Sequence, residues 1–374
     1  MKRILSTLIY LLFFIAASAQ QTPNFTIVGN IAGIKSGNVN LYLSHPTKDK
    51  VDSCPIVDGK FTLKGYVSSP TYATLFVETP NQKLPIGFSM LSCFVEAGEI
   101  KLQGDIAKGR QSVKVVGSDI NDEFYAYNNY MHSLPEYQAF NKFSHTIQAA
   151  FLKAEMETVR SLSVDRDKQV LEMIKKIMAL KPTSSTSHMA AYLVCQYAGS
   201  LPIKDAIAVE KLFDKKLTTC HYLNDFRDFI QGEQRLSVGK KSPDFMVKDL
   251  EGKEYTLKSF RGKYVFLEFS ASWCGWCKKE VPHVRKAFHA LEGRNVVFVT
   301  MNMDTKIDRW KDEITKENIE WMCLSNLEGM NGVLATSFNL KGLPASFVID
   351  PDGKIIAKDL RGSEVLNFLT KEVK

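Results

Sequence analysis

The pentapeptide Trp273-Cys274-Gly275-Trp276-Cys277 constrains this chain more than any other stretch. It follows an apolar run, Tyr264-Val265-Phe266-Leu267-Glu268-Phe269-Ser270. It precedes a segment in which Val281, Val284, Phe288 and Leu291 recur at helical spacing. The pattern predicts a buried strand that delivers two cysteines to the first turn of a helix. Positions i and i+3 share one helix face, so the sulfurs come within bonding distance. The first thiol falls where unpaired N–H groups and the positive end of the helix dipole favour a thiolate. Lys278 and Lys279 add positive charge nearby. These features predict a nucleophilic Cys274 and a resolving Cys277 that cycle between dithiol and disulfide. A structural zinc site wants a second Cys pair or a His pair at matching spacing, which His283 and His289 do not supply. A purely structural bridge across so short a loop would constrain little.

The chain has 374 residues, enough for two or three domains. It opens with Met1-Lys2-Arg3, a mostly apolar run from Ile4, and Ala17-Ser18-Ala19. A basic start, a short apolar stretch and a small-residue site predict a signal peptide over residues 1–19, cleaved after Ala19. Its loss lowers the formal net charge from +7 to +5. No basic block with interleaved aromatics points to nucleic acid. Seven cysteines leave at least one unpaired. Cys54 with Cys93, and Cys195 with Cys220, are placed to pair; the alternative for each, as for Cys323, is a small buried apolar residue.

Residues 24–116 alternate apolar and polar in short runs split by Gly, Pro and Asn/Asp turns, with Asp58-Gly59 as a hairpin signal. A small β sandwich or partly open barrel is expected. Residues 118–235 turn helical, with periodic runs at 139–162, 165–180, 188–198 and 205–217. Frequent aromatics there, among them Phe124, Tyr127, Tyr137 and Phe140, read as core or interface. From 238 to 374, strands and helices alternate, predicting a mixed sheet covered on both faces. The expected class is therefore a multi-domain α+β chain.

Residues 238–374 resemble the thioredoxin superfamily, and within it the exported TlpA-like thiol-disulfide oxidoreductases. The matching pieces are Gly239 to Phe245, the Trp273–Cys277 motif with Pro282 after it, and Gly342-Leu343-Pro344. Residues 24–116 also look like the small domain of unassigned function that often precedes such domains in Gram-negative secreted proteins. The resemblance implies a thioredoxin fold, a cis Pro344 facing the thiols, and Glu268 as a buried carboxyl that relays the proton of Cys277. Glu280 matches an acidic position of some TlpA-like reductases. Trp273, expected to shield the disulfide, stands with Trp276 and Leu343 on the substrate side. Trp276 replaces the proline frequent before the second cysteine, and Leu343 replaces a small or β-branched residue. The resemblance implies no metal or organic cofactor, disulfide-containing client proteins, a membrane thiol electron donor and a periplasmic location.

Overall fold

The structure, a computed structural model, describes residues 22–45, 50–85, 88–109, 112–153 and 155–373. The expected signal peptide lies outside them. No helix among the described residues is long and apolar enough to cross a membrane. The chain divides into two compact units, one ending at Phe124 and the other beginning at Tyr125.

The first unit holds eight strands: β1 Phe25–Ala32, β2 Ser36–Leu43, β3 Lys50–Val57, β4 Lys60–Gly65, β5 Thr71–Glu78, β6 Met90–Val95, β7 Gly98–Asp105 and β8 Lys114–Val116. Alternate residues of β4 are buried and exposed in strict turn, as a pleated strand with one covered face requires. The Asp58-Gly59 turn joins β3 to β4, with both residues at positive φ. The strands form one sheet in the order β6-β5-β2-β3-β4-β1-β7-β8, with β1 and β7 parallel. Every strand sends side chains into a single apolar core that includes Phe25, Leu41, Ile56, Leu63, Leu75, Cys93, Leu102 and Val115. The expected β-rich unit is thus one eight-stranded sheet with one apolar core, and β6 and β8 lie at its edges.

Helix α1 Asp119–Ser133 carries the chain into the second unit. There follow α2 Pro135–Leu152, α3 Met156–Ala179, α4 His188–Ala198, α5 Ile203–Glu210 and α6 His221–Arg235. The single helical run expected over 139–162 is divided between α2, which ends at Leu152, and α3, which begins at Met156. The N–H groups of Lys153 and Glu155 both turn back to the Ala150 carbonyl, and α2 and α3 form a hairpin tied at its open end by Lys176–Glu136. Apolar spacing continues through the turn, which hid it. Helix α5 stops short of the expected Leu217, because Asp214 organises a turn through Lys216 N–H and the Leu217 N–H.

The rest of the second unit comprises β9 Met246–Lys248, β10 Glu254–Thr256, β11 Tyr264–Ser270, α7 Gly275–Ala290, β12 Val296–Asn302, α8 Ile307–Lys316, β13 Met322–Leu324, α9 Val333–Ser337, β14 Ala345–Ile349, β15 Ile355–Lys358 and α10 Glu364–Glu372. Five strands form a sheet in the order β13-β12-β11-β14-β15, with β11 central. Strand β11 runs parallel to β12 and antiparallel to β14. Its side chains alternate between two cores. Val265, Leu267 and Phe269 pack with Leu334 and Phe338 of the α9 region, whereas Phe266 packs with Val281 and Val284 of α7 and Val365 and Leu369 of α10. This register puts Glu268 on the α7 face.

Candidate active site

Strand β11 ends at Ser270, and four residues later Cys274 takes the N-cap position of α7. Its φ of −85° and ψ of 96° are extended, as an N-cap requires. The Cys274 Sγ accepts a hydrogen bond from the Cys277 N–H at 3.1 Å, using one of the helix's four free donors. The two sulfurs are bonded, with their Cα atoms 5.3 Å apart. Cys274 is 5 % and Cys277 1 % exposed. The other five cysteines carry free thiols, so neither alternative pairing forms; Cys54 and Cys195 are only half-buried. Burial pushes the Cys93 thiol up to about 12, which keeps it protonated and inert.

The Leu343–Pro344 bond is cis. The guanidinium of Arg361 donates to the Pro344 carbonyl, to Ser346 Oγ at 3.2 Å and to the Leu360 carbonyl at 2.9 Å. Glu268 is buried between β12 and β14, opposite Thr300 and Ser346. Burial pushes its carboxyl up to about 8. The Arg361 charge opposes that rise, and the Glu280 and Glu313 carboxyls reinforce it. At neutral pH Glu268 therefore holds a proton. Glu280, on α7, is also buried, and its carboxylate accepts the Gly362 N–H at 2.8 Å.

The two tryptophans divide. Trp273, in the loop ahead of the helix, is 62 % exposed. Trp276, partly buried, packs on the core that contains both cysteines, as does Leu343.

A second polar group escaped sequence reasoning. The Asp304 carboxylate, buried just past β12, accepts the Ser272 N–H and Ser272 Oγ–H, both at 2.9 Å. Asn302 donates to Asp304 at 2.7 Å and to Glu313 of α8 at 2.6 Å, and Ser270 Oγ also donates to Glu313. Burial raises the Glu313 carboxyl, partly offset by these bonds. The network grips the loop that presents Cys274. Its only sequence signal was Asn302-Met303-Asp304 at the carboxyl end of a strand, the end where sites on such sheets collect. For Arg361 there was no signal.

A buried carboxyl, a dithiol at a helix N-cap and a cis-proline backbone form a site for disulfide exchange, and similarity to known proteins agrees. Residues 238–358 match the AhpC/TSA family, and residues 25–124 match DUF4369, a domain of unknown function. The chain is 29 % identical to the thiol-disulfide oxidoreductase ResA of Bacillus cereus over 149 residues, 40 % of this chain and 84 % of that protein. It is 26 % identical to ResA of Bacillus subtilis over 33 % of this chain and 68 % of that protein. Among solved structures, the thioredoxin domain of a Bacteroides vulgatus thiol-disulfide oxidoreductase is 31 % identical. That likeness covers 37 % of this chain and 99 % of that one, with a TM-score of 0.36. The C-terminal part of this chain is therefore an AhpC/TSA domain of thioredoxin fold, homologous to thiol-disulfide oxidoreductases and preceded by a DUF4369 domain.

Proposed function

We propose that this protein is exported to the periplasm and reduces disulfides of client proteins through Cys274 and Cys277. The observation that carries the reading is the bridged pair at the N-cap of α7, where the Cys277 N–H points at the Cys274 sulfur. In the reduced protein that N–H and the helix dipole favour the Cys274 thiolate. The thiolate attacks one client sulfur, a mixed disulfide forms, and one client thiolate leaves. The ionised fraction of Glu268, the minor form at neutral pH, takes the Cys277 proton, directly or through water. The Cys277 thiolate then attacks Cys274 and releases the second client thiolate. The client gains two electrons and two protons, and the protein ends in the disulfide state described above. A membrane thiol donor returns it to the dithiol.

The reductive direction is supported by the burial of Glu280, which matches an acidic position of TlpA-like reductases. Leu343, ahead of the cis Pro344, presents backbone to an extended client segment, and the exposed Trp273 offers it an apolar surface. Export is supported by the opening Met1–Ala19. Trp276 between the cysteines leaves a second reading open, an oxidant or isomerase, because the intervening residues tune the potential. Titration against dithiothreitol, followed by Trp fluorescence, separates the two. A potential near or below roughly −270 mV supports the reductase, and one of roughly −120 to −180 mV replaces it with the second reading. Failure of the two thiols to form a bond would sink both.

A further inference from the structure

The α2–α3 hairpin lies outside the segment that matches the AhpC/TSA family, yet it touches the site on two sides. In the last turn of α2, the Phe151 ring meets Trp276 edge-on, with centroids 4.8 Å apart at 80°. That geometry is the attractive one for aromatic pairs. Trp276 is the residue beside Cys277, so Phe151 stands against a side chain of the dipeptide that separates the two cysteines. From the start of α3, Arg160 pairs with Glu364 Oε1 of α10. The other Glu364 oxygen accepts the Arg361 N–H at 3.1 Å, and the Arg361 guanidinium holds the Pro344 carbonyl. One helical hairpin thus reaches the thiol side through an aromatic contact and the proline side through an ion pair.

We propose that the α2–α3 hairpin is a wall of the client site, with Phe151 as a specificity-determining residue that excludes disulfides held in compact folded proteins. Small disulfides and those in extended segments pass between it and Leu343. The inference rests on the proposed exchange reaction. An aromatic wall costs a bulky client its approach to Cys274 and costs a small one little, so it acts on the ratio of rates rather than on the chemistry.

The test uses the pre-reduced full chain in single-turnover reactions, with oxidised glutathione as the small disulfide and folded insulin as the bulky one. Each is followed by Trp fluorescence. In Phe151→Ala the ratio of the insulin rate to the glutathione rate rises about threefold or more, as expected for removing one well-placed aromatic ring. Phe151→Leu returns the ratio toward the parent value. The Cys274–Cys277 potential of Phe151→Ala stays where it was, which separates access from a disturbed dithiol. A smaller rise, an unchanged ratio or a fall would overturn the wall. Should Phe151→Ala fail to fold, Arg160→Ala makes the same comparison, because Arg160 is 62 % exposed and its loss frees the hairpin without opening a cavity. A parent chain that reduces neither disulfide refutes the exchange reaction itself, a result distinct from any change in the ratio.

Discussion

In the eight-stranded sheet the inward positions are apolar, and the buried polar residues of that unit are the neutral Ser69, Thr71, Ser118 and Asn121 among those described. The five-stranded sheet follows the same pleat, yet Glu268, Glu280, Asp304 and Glu313 are buried around the end that carries Cys274. Buried carboxyls oppose folding unless hydrogen-bonded or left neutral. Three of these four accept hydrogen bonds, and the fourth, Glu268, is neutral at pH 7. The cysteines differ in the same way. Cys93 sits inside the first core as a small apolar group, whereas Cys274 meets a helix N-terminus. One sheet buries what stabilises it; the other buries what its chemistry uses, beside the thiols and nowhere else along β11.

The comparison breaks most sharply at the cysteines. Cys274→Ser should drop insulin reduction to the uncatalysed rate. Cys93→Ser in the other sheet should leave that rate intact while lowering stability by about 1–3 kcal/mol, the cost of a buried hydroxyl without a good partner. If Cys93→Ser also abolished reduction, the division between the sheets would fail.

Glu268→Gln comes next. Loss of the proton relay should slow resolution of the mixed disulfide about a hundredfold at neutral pH, read by stopped-flow fluorescence. The same variant tests the buried charge. An ordinary carboxyl has lost its proton by about pH 5 in the unfolded chain, whereas folded Glu268 keeps its proton up to about 8. Between those values the unfolded state binds fewer protons, so stability falls as pH rises and levels off above the upper value. Urea unfolding of the oxidised protein should show this slope in the parent and a flatter profile in Glu268→Gln. Equal slopes would mean that Glu268 is ionised in the fold.

The smallest effect is structural. Asn121 accepts the Phe94 N–H at 2.8 Å and donates to the Phe94 carbonyl at 2.9 Å, tying α1 to β6. Asn121→Ala removes both hydrogen bonds to buried backbone groups and should cost about 2 kcal/mol in a thermal melt. Disulfide exchange should not change. A matching loss of exchange would show that the first unit serves the reaction.

The legible part of this molecule was its local part. The strand, the cysteine pair and the helix lie within one short stretch, and the alternation of β11 is enough to send Glu268 inward. Proline after Gly342-Leu343 was legible through a motif. Arg361, Asp304 and Phe151 were not, because each meets the site across a tertiary contact from an element remote in sequence. A lone arginine after a strand looks like any solvated arginine. The break between α2 and α3 was hidden because apolar residues keep their helical spacing through the turn, and only the pairing of the two helices forces the chain back.

Arg361 has a consequence for how the protein is made. The residue that holds the Pro344 carbonyl, and Gly362 that binds Glu280, are both encoded after the last strand of the sheet. Translation delivers Cys274 and Cys277 first. A chain that emerges amino end first, from the ribosome or from the export channel, presents both thiols before residues 361 and 362 can supply either tie. The redox centre is therefore completed after its own thiols are exposed, in the order in which the chain emerges.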